Sequence, residues 1–348
     1  MRWNEEKVVF EPGGKDHISP GGSYDTAKLV SKRIYDWDAP VTMRYDFVNL
    51  KGVSGKMSSS KGKVIALPDA LDVYQAEVLR FLFAGTRPNT EFDISFDMDV
   101  VKIYEDYDKM ERIVFGVDKA KNDEQFNKEK RIYMLSQIDG KIPEVMPYQI
   151  TIRLLATLLQ IYSGDVDAVI KSLGDVKPEQ EERLRRRAAC AWFWIQNSAP
   201  ECAPDFCFSL RDGKTKVKVE KQLAQAIEKI RAEVLPKMDT FQTDKDCQQA
   251  VYDIANSLGI DTKALFTAMY QVLIGKEQGP RIGSFMRIIG KERLEQLLSC
   301  AVGVSEEELK KNTAQKKLTP EQIDKLPLAE RFSHRVILKV SKIDRPHT

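Results

Sequence analysis

The sequence predicts an α/β segment followed by an all-α region, and two observations carry this prediction. Residues 1–66 alternate short β-branched or aromatic runs with glycine-rich turns, the pattern of strands that end in tight loops. From Leu67 onward, apolar residues recur every three to four positions, which is the spacing of helices that bury one face.

The α/β segment is predicted as a strand, a turn, a helix and a second strand. The strand-like runs are Lys7–Phe10 and Tyr45–Leu50, and the helix between them is Ser23–Tyr35. The apolar stripe of this helix and its candidate caps are Ala27, Val30, Ile34, Ser23 and Asp25. We interpret this as a partial Rossmann-like βαβ segment, because one such unit leaves strand edges and an apolar face uncovered.

A polar loop follows each predicted strand. The first strand runs into Glu11–His17, a glycine-rich turn that carries an acid and a histidine. The second leads to Lys56–Lys61, where two lysines enclose three serines, with Gly52, Gly55 and Gly62 nearby. Ammonium groups, hydroxyl donors and glycine backbone suit a polyphosphate ligand. Taken alone, the same loop is also explained as a solvated surface loop.

These loops agree in order and spacing with a known family. The chain resembles class I lysyl-tRNA synthetases over the catalytic loops and over the helical end of the chain. The stretches that carry the resemblance are Phe10–His17, Ser19–Thr26, Leu50–Gly62, Glu77–Ala84, Pro88–Asn89, Ile94–Asp97, Tyr104–Asp108 and Gly275–Phe285.

The resemblance implies roles for residues in both loops. It assigns a mobile loop, which stabilises the ATP triphosphate while the lysine carboxylate attacks the α-phosphate, to Lys56, Met57, Ser58, Ser59, Ser60 and Lys61. Many class I enzymes carry lysine where this chain has Ser59. Binding of the ribose and adenylate is assigned to Gly13, Gly14, Asp16 and His17. For His17, a structural hydrogen bond is an equal alternative. ATP is the expected substrate, with Mg²⁺ beside it.

One expected catalytic element has no counterpart. Class I synthetases carry a His-Ile-Gly-His type element with two histidines three positions apart, whereas this chain holds only His17, His334 and His347. Met1–Trp3 resembles an internal stretch of the family. We therefore expect the carboxyl-terminal portion of a lysine–tRNA ligase, inactive in this form. The alternative is a tRNA-binding module without catalysis.

Five segments are predicted along the chain. They are a nucleotide-binding half-domain over 1–66, a helical connecting region over 67–118, a charged linker over 119–146, an α-helical anticodon-binding domain over 147–304 and a tail of unknown role over 305–348. Six helices are predicted in the fourth segment, over Pro147–Tyr162, Pro178–Gln196, Val219–Val234, Asp244–Leu258, Thr262–Ile274 and Lys291–Cys300.

Basic residues of the helical region are candidate tRNA contacts. One group either follows a phosphate backbone or forms a solvated face, and comprises Arg183, Arg185, Arg186 and Arg187. A second group flanks a glycine and proline turn, where the resemblance favours contacts with the anticodon, and comprises Lys276, Arg281 and Arg287.

Composition indicates the cellular compartment of the protein but does not identify its function. The net charge of +2 provides no global field, so RNA must be bound by local basic patches. Five cysteines without paired spacing and no long apolar run favour a reducing cytoplasm, with no membrane segment and no metal site. Lysine, ATP and tRNA are the expected partners, and all three follow from the resemblance.

Overall fold

The computed structural model describes residues 2–52, 66–174, 176–305 and 307–309. The chain divides into two compact units, Met1–Ser209 and Leu210–Thr348. Both units are mostly helical and contain short parallel strand pairs. The described fold is therefore mixed α/β, with helix predominating.

The first unit begins with a parallel strand pair that encloses a helix. Its elements are α1 (Arg2–Glu5), β1 (Gly13–Gly14), α2 (Lys15–Ile18), α3 (Ser23–Tyr35) and β2 (Arg44–Tyr45). β1 pairs in parallel with β2, and an isolated parallel bridge joins Phe10 to Val41. The predicted strand Lys7–Phe10 is therefore shifted toward β1. The left-handed backbone of Lys7, with a φ of 53°, interrupts an extended run at that residue.

Helix α3 has the predicted bounds, but neither of the predicted capping residues, Ser23 and Asp25, is its N-cap. The N-cap is Gly22, and no side chain caps it. The Asp25 carboxylate instead accepts a hydrogen bond of 2.9 Å from the Gly21 N–H. Ala27 and Val30 are half-buried, whereas Ile34 is exposed, so the predicted stripe is only partly covered.

The predicted strand Tyr45–Leu50 is divided at Asp46. After β2, the chain forms β3 (Val48–Leu50), which pairs in parallel with β4 (Phe92–Ile94) rather than with β1. The Asp46 N–H donates to the Pro88 carbonyl at 2.8 Å, and the Asp46 carboxylate accepts from the Phe47 N–H at 2.9 Å. Asp46 is thus the point at which the chain changes strand partner.

Packed helices follow, including one in the predicted charged linker. They are α4 (Leu67–Val73), α5 (Ala76–Gly85), α6 (Asp99–Val114) and α7 (Asp123–Ser136). Asn122 caps α7 by accepting from the Gln125 N–H, and the buried Tyr133 donates to Glu111 at 2.8 Å. The structure differs from the predicted linker because the charged residues of 119–146 include the exposed face of a packed helix.

Four further helices complete the first unit. They are α8 (Ile152–Ile161), α9 (Val166–Leu173), α10 (Pro178–Asn197) and α11 (Ala199–Cys202). α10 packs against α4 and α8, and its buried Trp194 donates its indole N–H to the Phe96 carbonyl at 2.7 Å. These contacts place residues 147–209 in the first compact unit, whereas the sequence grouped them with the later helices.

A buried ion pair joins α6 to α10. The Arg187 guanidinium donates to both carboxylate oxygens of Asp108, at 2.8 and 2.6 Å, and each side chain is only 4% exposed. Arg187 also lies over the Tyr104 ring, 4.9 Å from its centroid. Such a bidentate pair satisfies both charges where water cannot reach them.

The second unit is a helical bundle closed by a strand pair. Its elements are β5 (Val217–Glu220), α12 (Lys221–Glu233), a 3-10 helix (Leu235–Thr240), α13 (Asp244–Ser257), α14 (Thr262–Ile274), α15 (Ile282–Ile289), α16 (Lys291–Leu298) and β6 (Ala301–Val304). The helix predicted from Val219 begins at Lys221, because Val219 and Glu220 pair in parallel with β6. Within the described ranges, no helix is both long and apolar enough to cross a membrane.

Replacing Arg187 with methionine should destabilise the first unit by about 3–5 kcal/mol, because Asp108 is left charged and buried without a partner. Chemical denaturation monitored by circular dichroism measures this loss. The double variant Arg187→Met with Asp108→Leu should recover most of it. A double variant as unstable as the single one would show that lost packing, rather than the unpaired charge, dominates.

Candidate functional site

A cavity of about 400 Å³ lies beside the turn between β1 and α3. Its lining includes three of the predicted residues, Gly13, Gly14 and His17, together with Tyr45 at the end of β2. The site therefore forms at the carboxyl ends of two parallel strands, where α/β sheets bind ligands. Asp16 does not line this cavity and is exposed on α2.

The shape of the turn depends on glycine at particular positions. Gly21 adopts a left-handed backbone with a φ of 82°, which L side chains rarely tolerate. At Gly22, a Cβ would collide with the carbonyl of His17. Gly14 is different, because an added Cβ would meet only the side chains of Tyr45, at 3.6 Å, and His17, at 3.9 Å, both at ordinary contact distances. Gly21 and Gly22 are therefore needed to close the turn, while Gly14 leaves space in the cavity.

The structure gives His17 a hydrogen-bond partner and also places it at the cavity, so its ligand-binding role stays a prediction. Its Nδ1 lies 3.0 Å from the Ser23 hydroxyl, a contact that orients the ring against the first turn of α3. The same side chain lines the cavity. The hydrogen bond supports the structural alternative, and its place in the lining keeps the ring available to a ligand.

One wall of the cavity was not predicted. Glu11 accepts from the Arg2 guanidinium and from the Trp3 indole N–H, and the Trp3 ring lies 5.7 Å from that of Tyr24. All four residues line the cavity. No short motif marks this group, because its members come from α1, the turn and α3.

Lys15 connects the glycine-rich turn, through ion pairs, to residues that follow β2 in the chain. Its ammonium group contacts the Asp46 carboxylate at 2.8 Å and also pairs with Glu91. It lies 4.9 Å from the centroid of the Phe47 ring. The hydrogen bond from Lys15 lowers the pKa of Asp46 to about 2, and the two carboxylates raise the pKa of Lys15. Lys15 therefore holds the turn and is already paired with two carboxylates.

A second charged contact, at Lys51, lies five residues before the predicted phosphate loop Lys56–Lys61. Lys51 lies 2.9 Å from Asp97 and also pairs with Asp99 at the start of α6, and these carboxylates raise its pKa. Lys56, Met57, Ser58, Ser59, Ser60 and Lys61 lie outside the described residues. Lys51 thus fixes the end of β3, from which that loop leaves.

The second unit has two adjoining cavities of about 580 Å³ each, formed around α13 and α15. Lys245, Gln248 and Arg281 line both, and Arg287 lines one of them. Aromatic residues that line the other are Tyr252, Phe266 and Tyr270. The Arg287 guanidinium donates to Asp244 at 2.7 Å. Lys276, the third predicted residue of this group, does not line either cavity.

The four arginines of α10 form neither a row of phosphate contacts nor a solvated face, because two of them pair with acidic residues inside the first unit. Arg183 contacts the buried Glu111 at 2.9 Å, and Arg187 is buried against Asp108. Neither guanidinium is placed as a surface phosphate contact or on a solvated face. Arg185 pairs with Asp167 at 2.6 Å on the surface, and Arg186 is exposed. Arg186 therefore stays a candidate tRNA contact.

Metal ligands do not cluster in the part of the chain that the structure describes, where no group of three or more His, Cys, Asp and Glu side chains is placed to hold an ion. The charged groups around the first cavity are paired with one another instead, as Glu11 and Lys15 show.

The chain matches known proteins in both of its parts. Residues 1–139 match the family model of tRNA synthetases class I (K), and residues 203–302 match an anticodon binding domain. The chain therefore belongs to the class I tRNA synthetase family, and the anticodon-binding match follows the synthetase match along the sequence.

The relatives that the chain matches are lysine–tRNA ligases, in agreement with the letter K in the family name. The chain is 51% identical over 300 residues to the lysine–tRNA ligase of Treponema pallidum and 45% identical over 300 residues to that of Borreliella burgdorferi. It is 36% identical over 299 residues to the lysine–tRNA ligase of Thermococcus kodakarensis. These matches cover 84–86% of the chain and 56% of each relative. The chain thus spans little more than half the length of the lysine–tRNA ligases that it matches.

The paired Asp46 gives the turn a defined response to acid. Because its folded pKa of about 2 lies below the unfolded value of about 3.9, the Lys15 contact stabilises the fold above about pH 4 and is lost as the pH falls toward 2. Asp46→Asn should therefore lower the melting temperature at pH 5–7, and the difference from the parent should shrink toward pH 2.

Thermal unfolding monitored by circular dichroism between pH 2 and 7 checks this expectation. Asp38→Asn is the matched control, since Asp38 pairs with Lys32 but its side chain is 90% exposed. A deficit for Asp46→Asn that stays constant across the pH range would contradict the ion-pair explanation.

Proposed function

We propose that the chain supplies the adenylate-side loops and the anticodon-reading domain of a lysine–tRNA ligase. In this reaction, ATP activates lysine as lysyl-adenylate, and the lysyl group is then transferred to tRNA. The observation that carries the proposal is the cavity at the carboxyl ends of β1 and β2, inside the part that matches tRNA synthetases class I (K). We interpret β1, α3 and β2 as part of a Rossmann-like nucleotide-binding domain.

The residues around the first cavity suit the adenylate. Gly13 and Gly14 keep side chains away from the strand ends, so a ribose or a base can approach the backbone closely. The His17 ring, oriented by Ser23, offers a nitrogen to a ribose hydroxyl or a phosphate oxygen. Asp16 belongs to the same turn but does not line the cavity, and we retain it as a candidate binding residue.

The phosphate side of the reaction is assigned to the loop Lys56–Lys61. Attack of a carboxylate on the α-phosphate of ATP needs charge stabilisation and positioning more than a nucleophile from the protein. Lys56, Lys61 and the serine hydroxyls offer that stabilisation, and Mg²⁺ bound to ATP would share it. Lys51, held by Asp97 and Asp99, sets the point from which this loop leaves β3.

A non-hydrolysable sulfamoyl analogue of lysyl-adenylate tests the site. Hydrogen exchange followed by mass spectrometry should show slower exchange in Gly13–His17 when the analogue is added. Gly14→Val should abolish this protection while the fold is retained, because Gly14 has an ordinary φ of −64° and an added Cβ would meet only Tyr45 and His17, at 3.6 Å or more.

Gly85→Ala, at the end of α5, is the control substitution, since an added Cβ would come no closer than 3.9 Å to Phe81 and 4.0 Å to Ile132. A glutamyl analogue serves as the control ligand. Equal protection by the lysyl and glutamyl analogues would contradict lysine selectivity, and no protection by either would contradict the adenylate site.

The second unit offers a place for unpaired anticodon bases. Aromatic rings stack on bases, amide groups read base edges and cations meet phosphates, and the cavity lining combines all three in Tyr252, Gln248 and Lys245. Arg281 lies at the N-cap of α15 between the two cavities, where a guanidinium can reach a base edge. We assign Arg281 and Arg287 to the anticodon, with Lys276 and Arg186 as outer tRNA contacts.

Measuring the affinity of the chain for two tRNAs that differ only in the anticodon distinguishes base contacts from phosphate contacts. Arg281→Gln should narrow the affinity gap between a tRNA with the lysine anticodon and one with altered anticodon bases, by about 1–3 kcal/mol for a base contact. Lys245→Gln should weaken both RNAs equally and flatten the salt dependence. The exposed Lys237→Gln, outside both cavities, should change neither. Identical affinity of the parent chain for both RNAs would overturn the anticodon assignment.

A second candidate function is tRNA binding without catalysis. It is favoured by the match of residues 203–302 to an anticodon binding domain. Lysine-dependent exchange of pyrophosphate into ATP distinguishes the two. Exchange by this chain alone would exclude the binding module, whereas tight tRNA binding without analogue binding would favour it.

A further inference from the structure

A row of lysines runs along the start of β5 in the second unit. Lys214, Lys216 and Lys218 occupy alternate positions, and all three residues are exposed. Val217 between them is half-buried, and Val219 is only 2% exposed. Because successive side chains of a strand point to opposite sides, the burial of Val219 keeps the lysine side of β5 toward solvent.

The turn before β5 fixes where this row begins. The Asp212 carboxylate accepts hydrogen bonds from the N–H groups of Lys214 and Thr215, at 2.9 and 3.0 Å, and from the Thr215 hydroxyl at 2.9 Å. The Val217 N–H donates to the Cys300 carbonyl at 2.8 Å, which aligns the start of β5 with β6. The backbone that carries the lysines is therefore held at both ends.

Helix α16 brings a fourth cation to the row. The Lys216 ammonium donates to the carbonyl of Ser299, the C-cap residue of α16, at 3.1 Å. Arg293 of α16 donates to the Arg211 carbonyl at 3.0 Å, and its guanidinium lies 3.5 Å from the position that a Cβ would take on Gly213. Arg293 thus lies against the turn that leads into the lysines.

The acidic residues beside the row are occupied by local contacts. Asp212 is taken up by the turn, and Glu308 pairs with Lys218 at 2.9 Å on the surface. Lys214 forms no ion pair with any residue that the structure describes. Glu220, the next outward residue of β5, ends the row. The row therefore presents positive charge to solvent.

This surface is separate from the two cavities around α13 and α15. No residue of the turn, of β5 or of α16 lines either cavity, although all of them belong to the second compact unit. It also offers little apolar area, because Val302 is the one exposed large apolar residue of β5 and β6, at 37%. Protein interfaces have an apolar core, so a charged strand of another kind is the better partner.

We propose that this basic strip, formed by Lys214, Lys216, Lys218 and Arg293, binds the sugar–phosphate backbone of a tRNA outside its anticodon. That the RNA is a tRNA rests on the proposed function. Lysine ammonium groups are mobile point charges, which suit phosphates but read no base. Alternate residues of a strand are about 6.6 Å apart, comparable with the separation of successive phosphates along an RNA strand.

A triple variant of the full chain tests the strip. Lys214→Gln, Lys216→Gln and Lys218→Gln are combined, and fluorescence anisotropy measures affinity across a salt series for two tRNAs, one with the lysine anticodon and one with altered anticodon bases. Both affinities should fall by about tenfold or more at low salt. The slope of log affinity against log salt should decrease by about 2, because each lost phosphate contact contributes about 0.7. The ratio of the two affinities should stay unchanged.

The matched control removes three charges elsewhere. Lys171→Gln, Lys237→Gln and Lys263→Gln replace exposed lysines outside the strip and outside both cavities, so the net charge changes equally. Thermal unfolding should show that both triple variants keep the parent fold, because exposed lysines contribute little to stability. An amine-reactive reagent with mass spectrometry gives a direct measurement on the parent chain. Bound tRNA should slow the labelling of the strip lysines and leave the control lysines unchanged.

The outcomes for the strip differ from those for the proposed function. Equal weakening by the strip and control variants, or no protection of the strip lysines, would overturn the strip even if the parent chain distinguishes the two anticodons. Weakening specific to the strip variant, in a chain that binds both tRNAs equally, would support the strip and contradict anticodon reading. Unchanged tRNA affinity, with lost retention on immobilised polyglutamate, would overturn the proposal and assign the strip to an acidic protein.

Discussion

The contact between Lys15 and Asp46 is the interaction on which the first site depends. Asp46 lies where the chain leaves the β1–β2 pair and enters the β3–β4 pair, and its backbone and carboxylate hydrogen bonds fix that change. Lys15 connects this point to the glycine-rich turn and to Glu91, just before β4. One ammonium group thus ties together the turn, the strand switch and the second sheet beside the cavity that His17 lines.

The packing of α6 against α10 depends on ion pairs that are largely buried rather than exposed to solvent. Asp108 with Arg187 and Glu111 with Arg183 join α6 to α10, and Tyr133 brings α7 into the same cluster. Buried pairs of this kind add little stability over apolar packing, but they penalise any arrangement that separates the partners. Such pairs therefore favour one packing of the helices that follow the strand pairs of the first unit.

The sequence predicted local features better than features that depend on distant partners. The bounds of α3 and α14 follow from periodicity and from glycines, and the loop motif identified the family. The break at Asp46 depends on Pro88 and Lys15, and no short-range pattern encodes those contacts. The same limit explains Arg183 and Arg187, whose partners lie more than 70 residues away. It also explains Val219, which is drawn into a strand by β6.

The approach of α13 and α15 has a consequence for recognition. Gly283 is buried, and a Cβ there would collide with the Asp244 carbonyl, so the two helix backbones touch directly. Helices in such contact cannot separate without losing it, so the contact opposes widening of the cleft that holds Lys245 and Arg281. Under the proposed function, an RNA would therefore have to unstack its bases to fit this surface. Most of the ordering cost of binding would then fall on the nucleic acid, which would favour RNAs whose loop is already open.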